Sequence, residues 1–444
     1  MSRLTVFPTQ RLRGEITLPG DKSISHRAAL LAALADGESR IQHFLDSGVT
    51  RVLLNALRAL GVEWVLEGET LTLQGREWHT PAAALDCGNS ATTLRLLAGA
   101  LAARNTAAVL DGSAGLRRRP MGRIVQPLRE MGVSITASDD EYAPLIIEAR
   151  PGGIRLNGGT QRLAVASAQV KSCLLLAGLA ANRPHTVIEP HRSRDHTERL
   201  LSALGVQIEA EAVTKGWAVR VHPVSGSLPP LRLSIPGDLS AGAFWAVAAA
   251  ITPGSQITLR GVGLNPGRTG LLEALREMGA TLTITPRGEQ GGEPFGDVTI
   301  AHSPLYGVEI SGERVTAMID EFPVFAVAAA FAEGITRVRQ AQELRYKESD
   351  RIRAICSLLN RLGAKVREHE DGFTIYGRGG LRGGETVAAG GDHRIAMAAA
   401  VAGLAAAEPV TVQGAEIMAE SYPQFEQTLR ELGAETRAED ELGG

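Results

Sequence analysis

This 444-residue chain is short of lysine, cysteine and aromatic side chains, and each shortage excludes something. Lysine and arginine total 46; five are lysine (22, 171, 215, 347, 365), which leaves 41 arginines. Where Arg is the habitual cation, a Lys marks a place that can use a cation able to release its proton, which Arg never does. The three cysteines (87, 173, 356) stand in no metal-ligand spacing, so neither structural zinc nor a disulfide framework is expected, and a reducing compartment is. The N-terminal MSRLTVFPTQRLRGEI has no apolar stretch of the secretory kind. The longest apolar run, IAMAAAVAGLAAA (395–407), is too short and too rich in Ala to span a bilayer. Net charge is −3, so nothing global draws the chain to nucleic acid or a membrane, and any anion site must be a local cluster. These absences lead to the expectation of a cytoplasmic, soluble α/β protein.

What the chain does have is internal repetition. A helix-end signature, Leu-x-x-Leu/Met-Gly-Val/Ala, occurs six times, with its Gly at 61, 132, 205, 279, 363 and 433. Each Gly sits where a helix C-terminus takes a left-handed residue, and a strand-like stretch such as VSITA or ATLTIT follows. An Ala-rich helix that is apolar nearly all round, hence buried, also recurs in each unit. The unit reads β-α-β-α-β-β. TLPGDKS (17–23) and SIPGDLS (234–240) share Pro-Gly-Asp-x-Ser, so units 1–3 and 4–6 are expected to form two related domains. We place one domain at 20–235 and the other at 1–19 plus 236–444, with hinges near 19–21 and 235–238. The piece RLRGEITLPG (11–20) has no helix before it, and the N-terminal segment is expected to complete the last unit. Two chain crossings predict a hinge, and a cleft between domains is a default ligand site.

Polar and basic residues gather at the mouths of the buried helices in five of six units. GDKSISHRAALLAALA (20–35) carries Lys22, Ser23, Ser25, His26 and Arg27, which suits a phosphate, although Asp21 or Ser23 as a plain N-cap explains the same letters. LDCGNSATTLRLL (85–97) is a polar, Gly-containing turn opening an apolar helix, again suited to an anion, with the nonpolar Ala91 in its middle. VASAQVKSCLLLAGL (165–179) repeats the pattern with Ser167, Gln169 and Lys171. HRSRDHTERLL (191–201) adds Arg192, Arg194, His196 and Arg199, and its two histidines are five apart on a turn, so a metal pair is not expected. The arginine run 117–119 reads as a solvated loop or a basic contact; no aromatic interleaves it, which disfavours nucleic acid.

In the second half, Asp320 and Glu321 precede a buried helix, where capping is the alternative. ELRYKESDRI (343–352) packs Arg345, Lys347, Glu348, Asp350 and Arg351 together, as an exposed helix with i,i+3 and i,i+4 pairs would. GGDHRIAMAAA (390–400) places Asp392, His393 and Arg394 at another helix start. No Ser-His-Asp order, HExxH, Walker loop or GxGxxG is present. Glu348 and Asp320 are the carboxylates available for proton transfer, and Lys22 and Lys347 the cations able to donate a proton.

LPGDKSISHR, GNSATTLRLL, LRRRPM, SAQVKS, SRDHTE, IDEFP, KESDRI and DHRIAM, in this order and over essentially the whole chain, resemble the 5-enolpyruvylshikimate-3-phosphate (EPSP) synthases among the enolpyruvyl transferases. The resemblance implies an inside-out α/β barrel fold: two domains of three βαβαββ units, helices inside and sheets outside, closing around two substrates. It implies transfer of the enolpyruvyl group of phosphoenolpyruvate to the 5-hydroxyl of shikimate 3-phosphate, with no metal and no organic cofactor, by a monomer. Carried over by position, Lys22, Ser23, Arg27, Ser167, Ala168, Gln169 and Arg194 resemble the shikimate-phosphate side, with Asp320 and Lys347 on its ring hydroxyls. Lys22, Asn89, Ala91, Arg119, Gln169, Arg351, His393 and Arg394 resemble the phosphoenolpyruvate side. Asp320, Glu348 and Lys22 are implied to be catalytic.

Four positions depart from the family's habit. Ala168 replaces a Ser, Gly115 stands where Ser is usual, and Glu420 precedes Ser421-Tyr422-Pro423 where some members have Lys. Ala91 is often Gly, and a methyl projecting there implies tolerance of glyphosate, which occupies the same pocket. The neighbouring reading is a UDP-N-acetylglucosamine enolpyruvyl transferase, whose loop typically carries a Cys, whereas 111–123 has none. A non-catalytic phosphosugar-binding protein on the same repeats is the other alternative, and the paired acids argue against it.

Overall fold

The computed structural model describes residues 2–152 and 154–440. The glycine of every repeat signature has a left-handed φ: Gly61 +95°, Gly132 +89°, Gly205 +82°, Gly279 +101°, Gly363 +93° and Gly433 +100°. Each stands just past an outer amphipathic helix: Gly48–Ala59, Gly122–Glu130, His196–Ala203, Gly270–Glu277, Arg351–Arg361 and Phe425–Glu431. An L side chain is disfavoured at that φ, so the chain stops each helix with Gly and turns into a strand.

The second set of helices is Lys22–Leu34, Ala91–Arg104, Ala168–Gly178, Leu239–Ile251, Phe322–Phe331 and His393–Ala405. Ala and Gly let them pack closely. A Cβ on Gly99 would lie 2.2 Å from the Cys173 carbonyl oxygen, so Ala91–Arg104 and Ala168–Gly178 run in near backbone contact. Almost every residue of these helices is buried.

Six four-stranded sheets cover the helices. In one of them Arg232–Ser234 runs parallel to Gly37–Gln42, which pairs antiparallel with Thr70–Gly75, and that strand pairs with Glu63–Glu67. One parallel pair plus two antiparallel strands is the β-α-β-α-β-β unit closed by a strand from a neighbouring unit. The chain divides into two compact units, one of residues 20–235 with Glu289–Glu293, the other of the described residues in 1–19, 236–288 and 294–444. Each holds three sheets and one apolar core. Every Leu or Phe wholly buried there contributes about 1.5–3 kcal/mol.

The first strands depart from expectation in one respect. Ser2–Val6 completes the last sheet, inserted antiparallel between Val410–Gln413 and Thr436–Asp440. RLRGEITLPG does not join it; Arg13–Thr17 runs parallel to Gln256–Gly263. The Pro-Gly-Asp turn ends that strand and sends the chain into the helix starting at Lys22, so its pairing belongs to the fourth repeat.

Candidate active site

In the unit of residues 20–235, three inner helices begin with capped polar turns. Asp21 accepts from the Ile24 amide (2.9 Å), Ser90 from Thr93 (3.1 Å) and Ser167 from Val170 (3.4 Å). The N-cap alternative offered for the first stretch is what Asp21 provides, and the remaining first-turn amides carry the positive end of the helix dipole. Lys22 and Ser23, the first residues of their helix, are half-buried. One turn on, Arg27 is 4 % exposed and fixed at three points: Nε donates to Thr197 Oγ1 (2.8 Å), Nη1 to the Ser23 carbonyl (2.9 Å) and Nη2 to Ser172 Oγ (2.9 Å). Burial, assisted by the like charge of Arg194, pulls its pKa down to about 10, against the attraction of Glu198 and Asp21. Ala168 offers only its carbonyl, 3.5 Å from Arg27 Nη2. Its side chain can make no hydrogen bond.

A residue that the sequence reading passed over holds the second cluster together. Arg95, in the middle of GNSATTLRLL, donates from Nη1 to Gln169 Oε1 (2.6 Å) and from Nη2 to the Pro120 carbonyl (2.8 Å). It thereby joins the polar turn, the arginine loop and the SAQVKS helix. A charged residue inside an otherwise apolar helix was the available signal. Of the three consecutive arginines, Arg117 pairs with Asp111 (Nε–Oδ1 2.8 Å) on the surface, Arg118 is exposed and Arg119 is buried. Asn89 Oδ1 accepts from Ser113 Oγ (3.1 Å), and a Cβ on Gly115 would sit 2.7 Å from that same Oδ1. A side chain at 115 would have to push that oxygen aside. Ala91 is the first residue of its helix and only 3 % exposed, packed with the apolar core.

Lys171 is wholly buried. Its Nζ lies 2.8 Å from Glu189 Oε1, 2.7 Å from Glu198 Oε1 and 3.2 Å from the Ser193 carbonyl. Burial pulls the Lys171 pKa down, but Glu198 and Glu189 outweigh it and hold it above its usual value; burial keeps Glu198 above the usual carboxylate range despite Lys171. The triad pins the SRDH turn, which carries Arg194, to the SAQVKS helix.

In the other unit the acidic and basic residues form one network around Arg351, which is 1 % exposed. Its Nε is 2.9 Å from Asp392 Oδ2, Nη1 3.3 Å from Asp320 Oδ1, and Nη2 2.5 Å from Glu348 Oε2. Burial lowers its pKa, but Asp392, Glu348 and Asp320 together push it above the ordinary arginine value. Asp392 is held below the usual carboxylate range by Arg351, against its own burial. Lys347 Nζ shares Asp320 Oδ1 at 3.2 Å, so the carboxylate sits between two cations.

Asp392 also caps its helix through the Arg394 amide (3.0 Å), and Arg394 Nη1 donates to the Asp320 carbonyl (3.0 Å). His393 is buried, 3.8 Å from Glu420. The KESD letters are not helical. They form the turn between Gln342–Tyr346 and Arg351–Arg361, with Asp350 as N-cap (Arg353 amide, 3.1 Å). Glu321 caps nothing; it is buried and accepts from Ser240 Oγ, with Arg268 donating to that same oxygen (2.6 Å). Among the described residues no group of three or more His, Cys, Asp and Glu side chains is placed to hold a metal.

Comparison with known proteins meets this geometry. Residues 6–429 match the family described as EPSP synthase (3-phosphoshikimate 1-carboxyvinyltransferase). The chain belongs to the EPSP synthase family. Relatives named 3-phosphoshikimate 1-carboxyvinyltransferase include one from Geobacter sulfurreducens, 46% identical over 96% of this chain and 98% of that one. Another, from Roseiflexus castenholzii, is 47% identical over 96% and 99%. The EPSP synthase structure from Acinetobacter baumannii superposes with a TM-score of 0.86 at 38% identity, covering 99% of this chain and 100% of that one. The enolpyruvyl transferase NikO from Streptomyces tendae shares the fold, with a TM-score of 0.77 at 23% identity over 99% of each chain. Membership in the EPSP synthase family accounts for the six-repeat architecture. No helix among the described residues is long and apolar enough to cross a membrane.

Proposed function

We propose that this chain transfers the enolpyruvyl group of phosphoenolpyruvate to the 5-hydroxyl of shikimate 3-phosphate, the step toward chorismate and the aromatic amino acids. The observation that carries the reading is the Asp320 carboxylate held between Lys347 and Arg351, with Glu348 on the same guanidinium. Unlike Glu189 and Glu198 around Lys171, which are closed off, Asp320 and Glu348 keep about a fifth of their side chains exposed, so a substrate can reach them. On this reading Asp320 accepts the proton of the attacking hydroxyl while Lys347 holds the ring oxygens. The hydroxyl oxygen bonds to C2 of phosphoenolpyruvate as the protonated Glu348 gives its proton to C3, giving a tetrahedral carbon that still bears phosphate. Glu348 then removes a proton from the methyl carbon, the C2–O bond to phosphate breaks, and Lys22 protonates the leaving group. The product is the enolpyruvyl ether plus phosphate, and no redox partner is needed.

Fixed cations suit a reaction whose intermediate is an anion, because preorganised charge needs no rearrangement at the barrier. Ser23, Arg27, Ser167 and Arg194 take the sugar phosphate; Arg119, Gln169, Arg351, His393 and Arg394 take phosphoenolpyruvate, with Asn89 shaping the turn beside it. Ala168 leaves the sugar phosphate with one donor fewer than a Ser would supply. The enzyme acts as a cytoplasmic monomer and tolerates glyphosate through Ala91. The test is phosphate release from phosphoenolpyruvate, measured with shikimate 3-phosphate and separately with UDP-N-acetylglucosamine. Release with the first alone is expected. Release with the second alone would transfer the chain to the sibling reaction, and release with neither would remove the enzymatic reading.

A further inference from the structure

The three inner helices whose N-termini carry the polar turns end, within the same unit, at a cavity of about 450 Å³. Its wall combines Leu34, Leu179 and Val224 with Arg104, Arg150 and Arg155, and no carboxylate residue lines it. Among the described residues, every hydrogen-bond partner of these three guanidinium groups is a backbone carbonyl. Arg104 Nη2 donates to Leu34 (2.7 Å), Arg150 Nη1 to Ala102 (2.9 Å) and Nε to Ile154 (3.3 Å), and Arg155 to Ala181 (3.3 Å) and Val224 (3.2 Å). A guanidinium has five N–H groups, so each keeps donors to spare, and Arg104 Nε is buried with no partner. Glu77 and Asp36 act on Arg104 only through space, and burial still holds the pKa values of Arg104 and Arg150 below the ordinary arginine value.

Closing the helix ends does not require these side chains. In the other unit, backbone amides bond carbonyls at the ends of the inner helices: Ser303 to Ala250 (3.3 Å), Gly379 to Ala332 (3.4 Å) and Thr9 to Leu404 (2.8 Å). Both units thus close inner-helix ends with backbone, here through the Val224 amide to Leu179 (2.9 Å) and the Leu156 amide to Ala180 (3.2 Å), and this unit adds cations in a recess. A recess of this size, part apolar and part cationic, has the makeup of a small-molecule site.

We propose that this cavity binds a small organic anion, a carboxylate or phosphate on an apolar ring, with Arg104, Arg150 and Arg155 holding the charge. Benzoate and phenyl phosphate, titrated calorimetrically into the full chain, distinguish the two headgroups. Inorganic phosphate and benzyl alcohol serve as the bare-anion and uncharged probes. The expected result is one binding event for at least one aryl anion, weakened about tenfold or more by Arg155→Gln, with melting temperature and turnover unchanged. Arg155 is exposed and outside the catalytic machinery, so this variant should fold. As a second readout on the unaltered chain, the bound aryl anion protects Arg104, Arg150 and Arg155 from phenylglyoxal. The proposal is overturned by no binding heat, by binding indifferent to Arg155→Gln, by equal affinity for either control probe, or by absence of arginine protection.

Discussion

Replacing Lys171 by Met keeps the length of the side chain and removes its charge, leaving Glu189 and Glu198 facing each other in the interior. Removing one partner of a buried ion pair costs about 3–5 kcal/mol. A second route to the magnitude agrees. The variant can relieve the repulsion by protonating one carboxylate, and doing so at pH 7 from an ordinary pKa of 4.5 costs about 3.4 kcal/mol, 2.5 units at 1.36 each. For a unit of this size each kcal/mol lowers the melting temperature by about 2–4 °C, so a fall of roughly 6–20 °C is expected by calorimetry at pH 7. The sign of the pH effect follows from Glu198, whose folded pKa is raised. The folded state then binds protons more readily than the unfolded chain, so acidification toward 4.5 favours folding. The deficit should therefore shrink at pH 5.5, where protonation is cheaper by about 2 kcal/mol, and Glu198→Gln in the same chain should recover much of it. A melting temperature within about 2 °C of the parent, or a deficit that ignores pH, would refute the account of this triad.

Asp392→Asn keeps a helix-capping side chain but takes a buried charge from Arg351; kcat should fall by about 10²–10³ and the melting temperature should fall as well, and unaltered steady-state kinetics would deny that Arg351 must be held in place. Ala91→Gly should tighten glyphosate inhibition at least tenfold while leaving the KM for phosphoenolpyruvate within a few-fold; equal inhibition constants for the two forms would end the tolerance proposal. His26 and His185 are both buried, and burial pushes each pKa from 6.5 down to about 4. The unfolded chain then takes up protons first, so stability is lost as pH falls from 6.5 toward 4, by roughly 2 kcal/mol per histidine at pH 5. Melting curves at pH 7 and 5 check this, and His185→Asn should halve the loss.

The parts of the fold legible in the letters are those that local physics dictates. Six glycines at one point of a repeat can only mean six left-handed helix ends, and helices of Ala, Leu and Gly have no face to show to water. Pairings across the chain were less legible. Arg13–Thr17 reads as a strand, yet nothing in its five letters names Gln256–Gly263 as its partner. The site was legible as residue types at helix mouths, not as a network. Lys171 and Glu198 are 27 positions apart, and only the fold of the intervening strand and turn makes them a pair. KESD looked helical because its charges have helical spacing. Lys347 instead reaches across to Asp320, Ser349 to Asp392 and Glu348 to the buried Arg351, and that network outweighs the few tenths of a kcal/mol that a surface i,i+4 pair provides.

The strand Ser2–Val6 has a consequence in time. It lies in the middle of its sheet, with Arg3 opposite Gln413 on one side and Glu439 on the other. The nearer of these partners leaves the ribosome 410 residues after Arg3. At 5–20 residues per second that is a wait of roughly 20–80 s. Leu4 and Val6, both buried in the finished unit, have no sheet to enter during that wait, and the last sheet cannot form around them until the strands at 410–413 and 436–440 have been made.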